Sequence, residues 1–289
     1  RQPKAAKPAD AYNLQEIALL DPPDEATRSI DEGRIREVAL KLEKALQEFG
    51  VDAQVVEVDR GPVITLYEID LAPGIKIGKI VGLSDDVARA LKAPSVRIVA
   101  PIPGKSTVGI EVPNPKRQVV RLREIFESGV LDRRRLAIPM MIGKDSSGQP
   151  LLADLAQMPH CLIAGATGTG KSVCMNSLIL SLLLTQRPDQ LKLILVDPKM
   201  VEFAAFKSVP HLMAPVLTDM KKATSVLEWA TVKMDERYEM LARVGARNIA
   251  AYNSLGEKTI RERLEVEADT PLEDIPFHLP YIIIIIDEL

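Results

Sequence analysis

The stretch AGATGTGKSV at 164–173 constrains the fold more than any other. In it Gly165, Gly170, Lys171 and Ser172 satisfy G-x-x-x-x-G-K-[ST], with Gly168 as an extra flexible position. Average composition gives such a match by chance in on the order of 1% of chains this long. A loop with this spacing curls its backbone N–H groups around phosphates and passes into a helix whose N-terminus faces them. It therefore needs a strand before it and a helix after it. HCLIAG at 160–165 reads as a short buried strand and KSVCMNSLILSLLL at 171–184 as an apolar helix. LKLILVD at 191–197 reads as a second buried strand, 219–244 as a long helix, and YIIIII at 281–286 as a third strand. Continuous apolar strands alternating with helices predict an α/β fold with a parallel sheet covered on both faces.

The tripeptide GKS also occurs at 104–106, in IPGKSTVG. Here Val99 stands where the first Gly is required, Pro101 and Pro103 remove backbone donors, and TVGIEV continues as a strand. This copy, with Lys105, reads as a turn between two strands.

A phosphate loop implies a nucleotide without naming a reaction. The run YIIIIIDE supplies the partner: Asp287 can hold Mg2+ at the carboxyl end of its strand, and Glu288 beside it can orient an attacking water. That pairing favours hydrolysis over phosphoryl transfer to a second substrate. VDPK ends the second strand on the same face, so Asp197 and Lys199 are candidates for contacts around the site or with a neighbouring subunit, and strand-end capping explains them as well. His160, His211 and His278 have no partner at ligand spacing and read as structural. Cys161 and Cys174 lie in apolar segments without a second CxxC and read as buried reduced thiols.

Upstream of the loop the pattern differs. Residues 1–28 are rich in Pro and Ala and read as an extended arm. Ser29 and Glu32 form a capping box, followed at helical spacing by Ile35, Val38, Ala39, Leu42, Leu46 and Phe49. VDAQVVEV and PVITLYEID read as strands joined by a tight turn, 77–93 as a helix, and SVRIVA and STVGIEV as two further strands. REIFESG reads as a short helix, and LDRRRL begins a linker whose basic run Arg133–Arg135 reads as solvated, with a DNA contact as the alternative. The division is an arm at 1–28, a small α+β domain at 29–135 and an ATPase domain at 136–289.

With 37 Lys and Arg against 40 Asp and Glu, the chain has no global basic footprint, so any nucleic-acid contact must be local. No apolar run reaches the ~20 residues of a membrane-spanning helix. The chain opens without an initiator Met or an apolar leader and stops on IIIIIDEL, so it reads as a fragment.

The chain resembles the motor region of the FtsK/SpoIIIE family of bacterial DNA translocases. The resemblance rests on FGVDAQVVEVDRGPVITLYEI, APSVRIVAPIPGKSTVGIEVPN, MPHCLIAGATGTGKSVCMNSLILSLL, LILVDPKMVEF and MDERYEMLARVGARNIAAYN. It implies a homohexameric ring that pumps double-stranded DNA with ATP and Mg2+, on the cytoplasmic side of the bacterial membrane, anchored through a region absent here. It also implies a P-loop, RecA-like ATPase domain, incomplete after the strand that ends in Asp287, with a gap in its sheet beside HCLIAG. The nucleotide contacts would be Gly165, Ala166, Thr167, Gly168, Thr169, Gly170, Lys171, Ser172 and Val173. Lys171 would touch the β- and γ-phosphates, Ser172 and Asp287 would serve Mg2+, and Glu288 would activate water. A pump for protein or conjugative DNA and a non-transporting nucleotide switch are the alternatives; the small-domain segments argue against the first and Glu288 against the second.

Overall fold

The computed structural model describes residues 14, 16–23, 32–166, 168–265 and 276–288. Ser29 of the capping box and most of the arm lie outside them. The chain divides into two compact units, one formed by Ile17–Arg135 with Met141–Ala153, the other by Leu136–Met140 with the residues from Asp154 onward.

In the first unit α1 (Glu32–Glu48) precedes β1 (Ala53–Arg60) and β2 (Ile64–Leu71), which pair antiparallel from Ala53 opposite Leu71 to Arg60 opposite Thr65. Two short helices follow, α2 (Ile77–Val81) and α3 (Ser84–Leu91), then β3 (Arg97–Val99) and β4 (Val108–Pro113). The sheet order is β1-β2-β4-β3. Leu42 and Leu46 of α1 are fully buried against Tyr67, Ile69, Val108 and Ile110, with Ile80 and Val87 of the short helices closing the same core. Burying one such side chain stabilises by about 1.5–3 kcal/mol, which is what holds α1 to the sheet. The single helix expected over 77–93 is two: Gly82 ends the first, and Ser84, Asp85 and Asp86 open the second, where the carboxylates suit the positive end of the helix dipole.

Helices α4 (Leu122–Glu127) and α5 (Val130–Arg133) follow, then the strands β5 (Pro139–Lys144) and β6 (Pro150–Asp154), which pair as a two-stranded sheet. Gly61, in the β1–β2 turn, lies so close to the Ser146 carbonyl that a Cβ there would collide with it. This close approach is what brings the tip of the β5–β6 hairpin onto the first unit.

The second unit is built on β7 (Leu191–Val196), paired in parallel with β8 (Tyr281–Ile286) from Leu191 opposite Tyr281 to Val196 opposite Ile286. On the other edge of β7 the segment 211–217 makes isolated parallel bridges through Leu212 and Leu217. Pro215 lies between the bridges and cannot donate, so the segment does not become a full strand. Helix α6 (Lys171–Thr185) packs Met175, Ile179 and Leu182 against Leu191, Leu193, Leu195, Phe203 and Ile283. Helix α7 (Met220–Arg243) starts at Asp219, whose carboxylate accepts from the Lys221 N–H at 2.9 Å. Helices α8 (Ile249–Asn253) and α9 (Gly256–Leu264) join its C-terminal end in a second core centred on Tyr252 and Ile260.

HCLIAG departs from expectation. Residues 161–166 form no strand, Leu162 is 82% exposed, and Cys161 is exposed rather than buried. A strand needs a ladder partner for its N–H and C=O groups. Strand β8 pairs with β7, and no strand pairs with its other edge among the described residues. Apolar character alone therefore leaves 161–166 without a ladder and mostly exposed, with Ile163 packed on the core. Amides of residues 161–165 are expected to exchange with deuterium far faster than those of 191–196 in the same protein. Equal protection of the two segments would show that the run is paired in solution.

Candidate nucleotide-binding site

The phosphate loop takes the shape its glycines permit. Gly168 and Gly170 adopt φ of 81° and 99°, in the left-handed region that residues with a Cβ avoid, and open space lies where a Cβ would stand on either. Gly165 needs its missing Cβ for another reason, since one would collide with Thr169 Oγ1. Thr169 folds back on Ala166, donating from Oγ1 to its carbonyl at 2.7 Å and from its N–H at 3.1 Å. Helix α6 begins at Lys171, and its first turn closes with the Cys174 N–H on the Gly170 carbonyl at 2.9 Å. The N–H groups of Ser172 and Val173 lie before that bond, at the open N-terminal end where anions are favoured. Thr167 lies outside the described residues.

The fold brings Asp287 to this loop from 116 residues away. Its N–H donates to the Val196 carbonyl at 3.0 Å, extending the β7–β8 ladder by one residue, and its side chain is only 3% exposed. Lys171 Nζ donates to Asp287 Oδ1 at 2.8 Å. That bond, more than the surrounding carboxylates of Glu288 and Glu202, holds the lysine pKa above its usual value. A buried carboxylate facing a loop cation and a helix N-terminus is a donor set that fits a phosphate-bound divalent cation.

Glu288 follows at φ 63°, a left-handed backbone that is costly for a residue with a Cβ. Its Oε1 accepts from Lys199 Nζ at 2.7 Å, and this bond draws the glutamate pKa down and the lysine pKa up. Asp197 is fully buried at the end of β7; its Oδ2 accepts from the Phe203 N–H at 3.0 Å, while Oδ1 has no hydrogen-bond partner among the described residues. Asp197 and Lys199, which by sequence suit either a site role or strand-end capping, have different partners here. The structure puts Lys199 on Glu288, and Asp197 at the base of the loop that carries Lys199.

The other GKS is a turn, closed by Ile102 N–H to the Thr107 carbonyl and Lys105 N–H to the Ile102 carbonyl. Lys105 Nζ donates to Glu57 at 2.9 Å and to the buried Glu68 at 2.5 Å, so its charge serves the sheet of the first unit. These two carboxylates push the lysine pKa up, and the bond from Lys105 holds that of Glu68 down. Of the histidines, His211 is buried, with Nε2 2.9 Å from the Gln186 carbonyl and its pKa lowered by burial; His160 and His278 are exposed.

Two family models match the chain, meeting between residues 114 and 121, before the boundary of the structural units. Residues 14–114 match the FtsK alpha domain, and residues 121–289, more than half of the chain, match the FtsK/SpoIIIE family. The chain belongs to the FtsK/SpoIIIE family. Among relatives, it is 45% identical over 285 residues to the DNA translocase FtsK 2 of Ralstonia nicotianae, covering 96% of this chain and 36% of that protein. It is 44% identical to the DNA translocase FtsK of Halalkalibacterium halodurans, over 99% of this chain and 35% of that one. It is also 44% identical to the DNA translocase SpoIIIE of Bacillus subtilis, over 96% and 34%. The chain thus spans about a third of the length of these FtsK/SpoIIIE relatives.

Proposed function

We propose that this chain is the motor region of an ATP-driven double-stranded DNA translocase acting in chromosome segregation at cell division. The observation that carries the reading is the meeting of Lys171 with Asp287 at 2.8 Å, which joins a phosphate loop to the acidic end of an apolar strand. The relatives named DNA translocases extend it from nucleotide chemistry to DNA. Residues Gly165 through Val173 cradle the nucleotide, with Lys171 on its phosphates. Ser172 and Asp287 hold Mg2+, which when bound neutralises charge on the phosphate oxygens. Glu288 takes the proton of the attacking water. In this reading 1–28 is an arm, 29–135 the small domain and 136–289 the ATPase domain, assembled as a homohexamer around DNA and anchored to the membrane through another part of the full protein. Among the described residues no helix is long and apolar enough to cross a membrane.

With a net charge of -3 the chain has no general attraction for DNA, so duplex binding should depend on ring assembly and on a few local Lys and Arg. In the intact protein, ATPase turnover is expected to rise severalfold on adding duplex DNA, and DNA affinity to fall steeply with salt. Stimulation by protein partners but not by DNA, or slow turnover that nothing stimulates, would refute a DNA pump. So would tight, salt-insensitive DNA binding by monomers.

A further inference from the structure

We propose that Lys199 is a positioning residue that holds the Glu288 carboxylate out of the orientation in which it activates water until the loop carrying Lys199 moves. The inference rests on the assignment of Glu288 as the water-activating carboxylate. A carboxylate that activates water must present a free oxygen lone pair to it. Here Oε1 of Glu288 accepts from the Lys199 ammonium at 2.7 Å, which occupies one oxygen and fixes the orientation of the other.

Three features make this contact a latch. The backbone is unfavourable on both sides of it, with Met200 at φ 61° and Glu288 at φ 63°, and such conformations persist where the surroundings hold them. The base of the Lys199 loop is anchored: Asp197 donates from its N–H to the Leu217 carbonyl at 2.8 Å, receives the Phe203 N–H on Oδ2 at 3.0 Å, and Phe203 is fully buried. The tip, by contrast, is not packed into the core: Met200 and Val201 are 61% and 67% exposed. Finally, Lys199 and Glu288 are 62% and 49% exposed, so water competes for both, and an exposed ion pair is weak enough to open and close. The Lys171–Asp287 pair, whose carboxylate is buried, contrasts with it: it belongs to the site's permanent frame.

The test measures ATP turnover of the intact protein with and without duplex DNA for wild type, Lys199→Ala, Lys199→Arg, Glu288→Gln and the Lys199→Ala/Glu288→Gln pair. Lys199→Ala is expected to raise DNA-free turnover by about two- to fivefold, the range an exposed ion pair can control. The ATP KM and the DNA-stimulated rate should stay at wild-type values, and Lys199→Arg should restore the low DNA-free rate. In the Glu288→Gln background Lys199→Ala should change nothing. Unchanged or reduced DNA-free turnover in Lys199→Ala, with Glu288→Gln inactive, overturns the latch and leaves the assignment of Glu288 standing. A parallel loss of both rates and of thermal stability assigns Lys199 a structural role instead. Full turnover in Glu288→Gln removes the assignment itself, and the latch with it.

Discussion

Lys171→Ala in the intact protein is expected to abolish ATP hydrolysis and weaken nucleotide binding, while Lys105→Ala does neither. Both lysines sit in a GKS tripeptide, so the tripeptide alone does not separate them. Their surroundings do. Lys171 is the first residue of α6, with its ammonium beside Asp287 and a left-handed glycine before it, so its charge lies at the helix end where phosphates are favoured. Its raised pKa keeps it cationic through the neutral range. Lys105 lies at the end of a two-strand turn and is engaged by Glu57 and Glu68. Removing a charge-assisted hydrogen bond to phosphate costs about 1.5–3 kcal/mol of binding, and removing one preorganised donor from the reacting group costs about 10²–10³ in rate. Because Lys171→Ala also strips a buried carboxylate of its cation, Lys171→Arg is the control: it keeps the charge but misplaces it, and should stay folded while hydrolysing poorly. Turnover in Lys171→Ala within about threefold of wild type, or loss of nucleotide binding in a folded Lys105→Ala, would reverse the assignment of the two copies.

The parts of this site that sequence could reveal are those set by local rules. The glycine spacing of the loop, the helix that starts at Lys171 and the acidic end of YIIIII each follow from a few neighbouring residues. The same holds for α1, whose Leu42 and Leu46 recur at helical spacing and both reach the core. What stayed hidden depends on distant partners. HCLIAG has strand composition, yet pairing is a property of the edge beside it, and in the structure its residues stay unpaired. Lys199 meets Glu288 across 89 residues, which no periodicity encodes. The β5–β6 hairpin did leave a signal, DSSG at 145–148 between apolar runs, and its attachment to the first unit depends on the close approach at Gly61. Gly82 likewise marked the break between α2 and α3 in plain sight; a lone glycine in a helical pattern costs only ~1 kcal/mol, too little to decide without the acidic turn that follows it.

Glu288→Gln should keep Mg-ATP bound while stopping turnover. Asp287 and Glu288 are adjacent but differ in every respect that bears on their roles. Asp287 continues the β7–β8 ladder, is buried, and meets Lys171, and in the proposed reading it is part of the frame that receives the nucleotide. Glu288 turns away on a left-handed backbone, is about half exposed, and accepts a hydrogen bond from Lys199 rather than from Lys171. A side chain placed there contributes little to holding the nucleotide and can take up the attacking water once Lys199 releases it. Glutamine keeps its size and hydrogen-bonding reach but cannot take a proton, so the expected loss is confined to the chemical step, on the order of 10² to 10⁴ in kcat. Asp287→Asn, by contrast, should weaken Mg2+-dependent nucleotide binding as well. The measurements are single-turnover ATP hydrolysis and equilibrium binding of a fluorescent ATP analogue with and without Mg2+. If Glu288→Gln turns over within about threefold of wild type, Glu288 is not the proton acceptor. If it loses Mg-ATP binding as Asp287→Asn does, the division of labour between the two carboxylates is wrong.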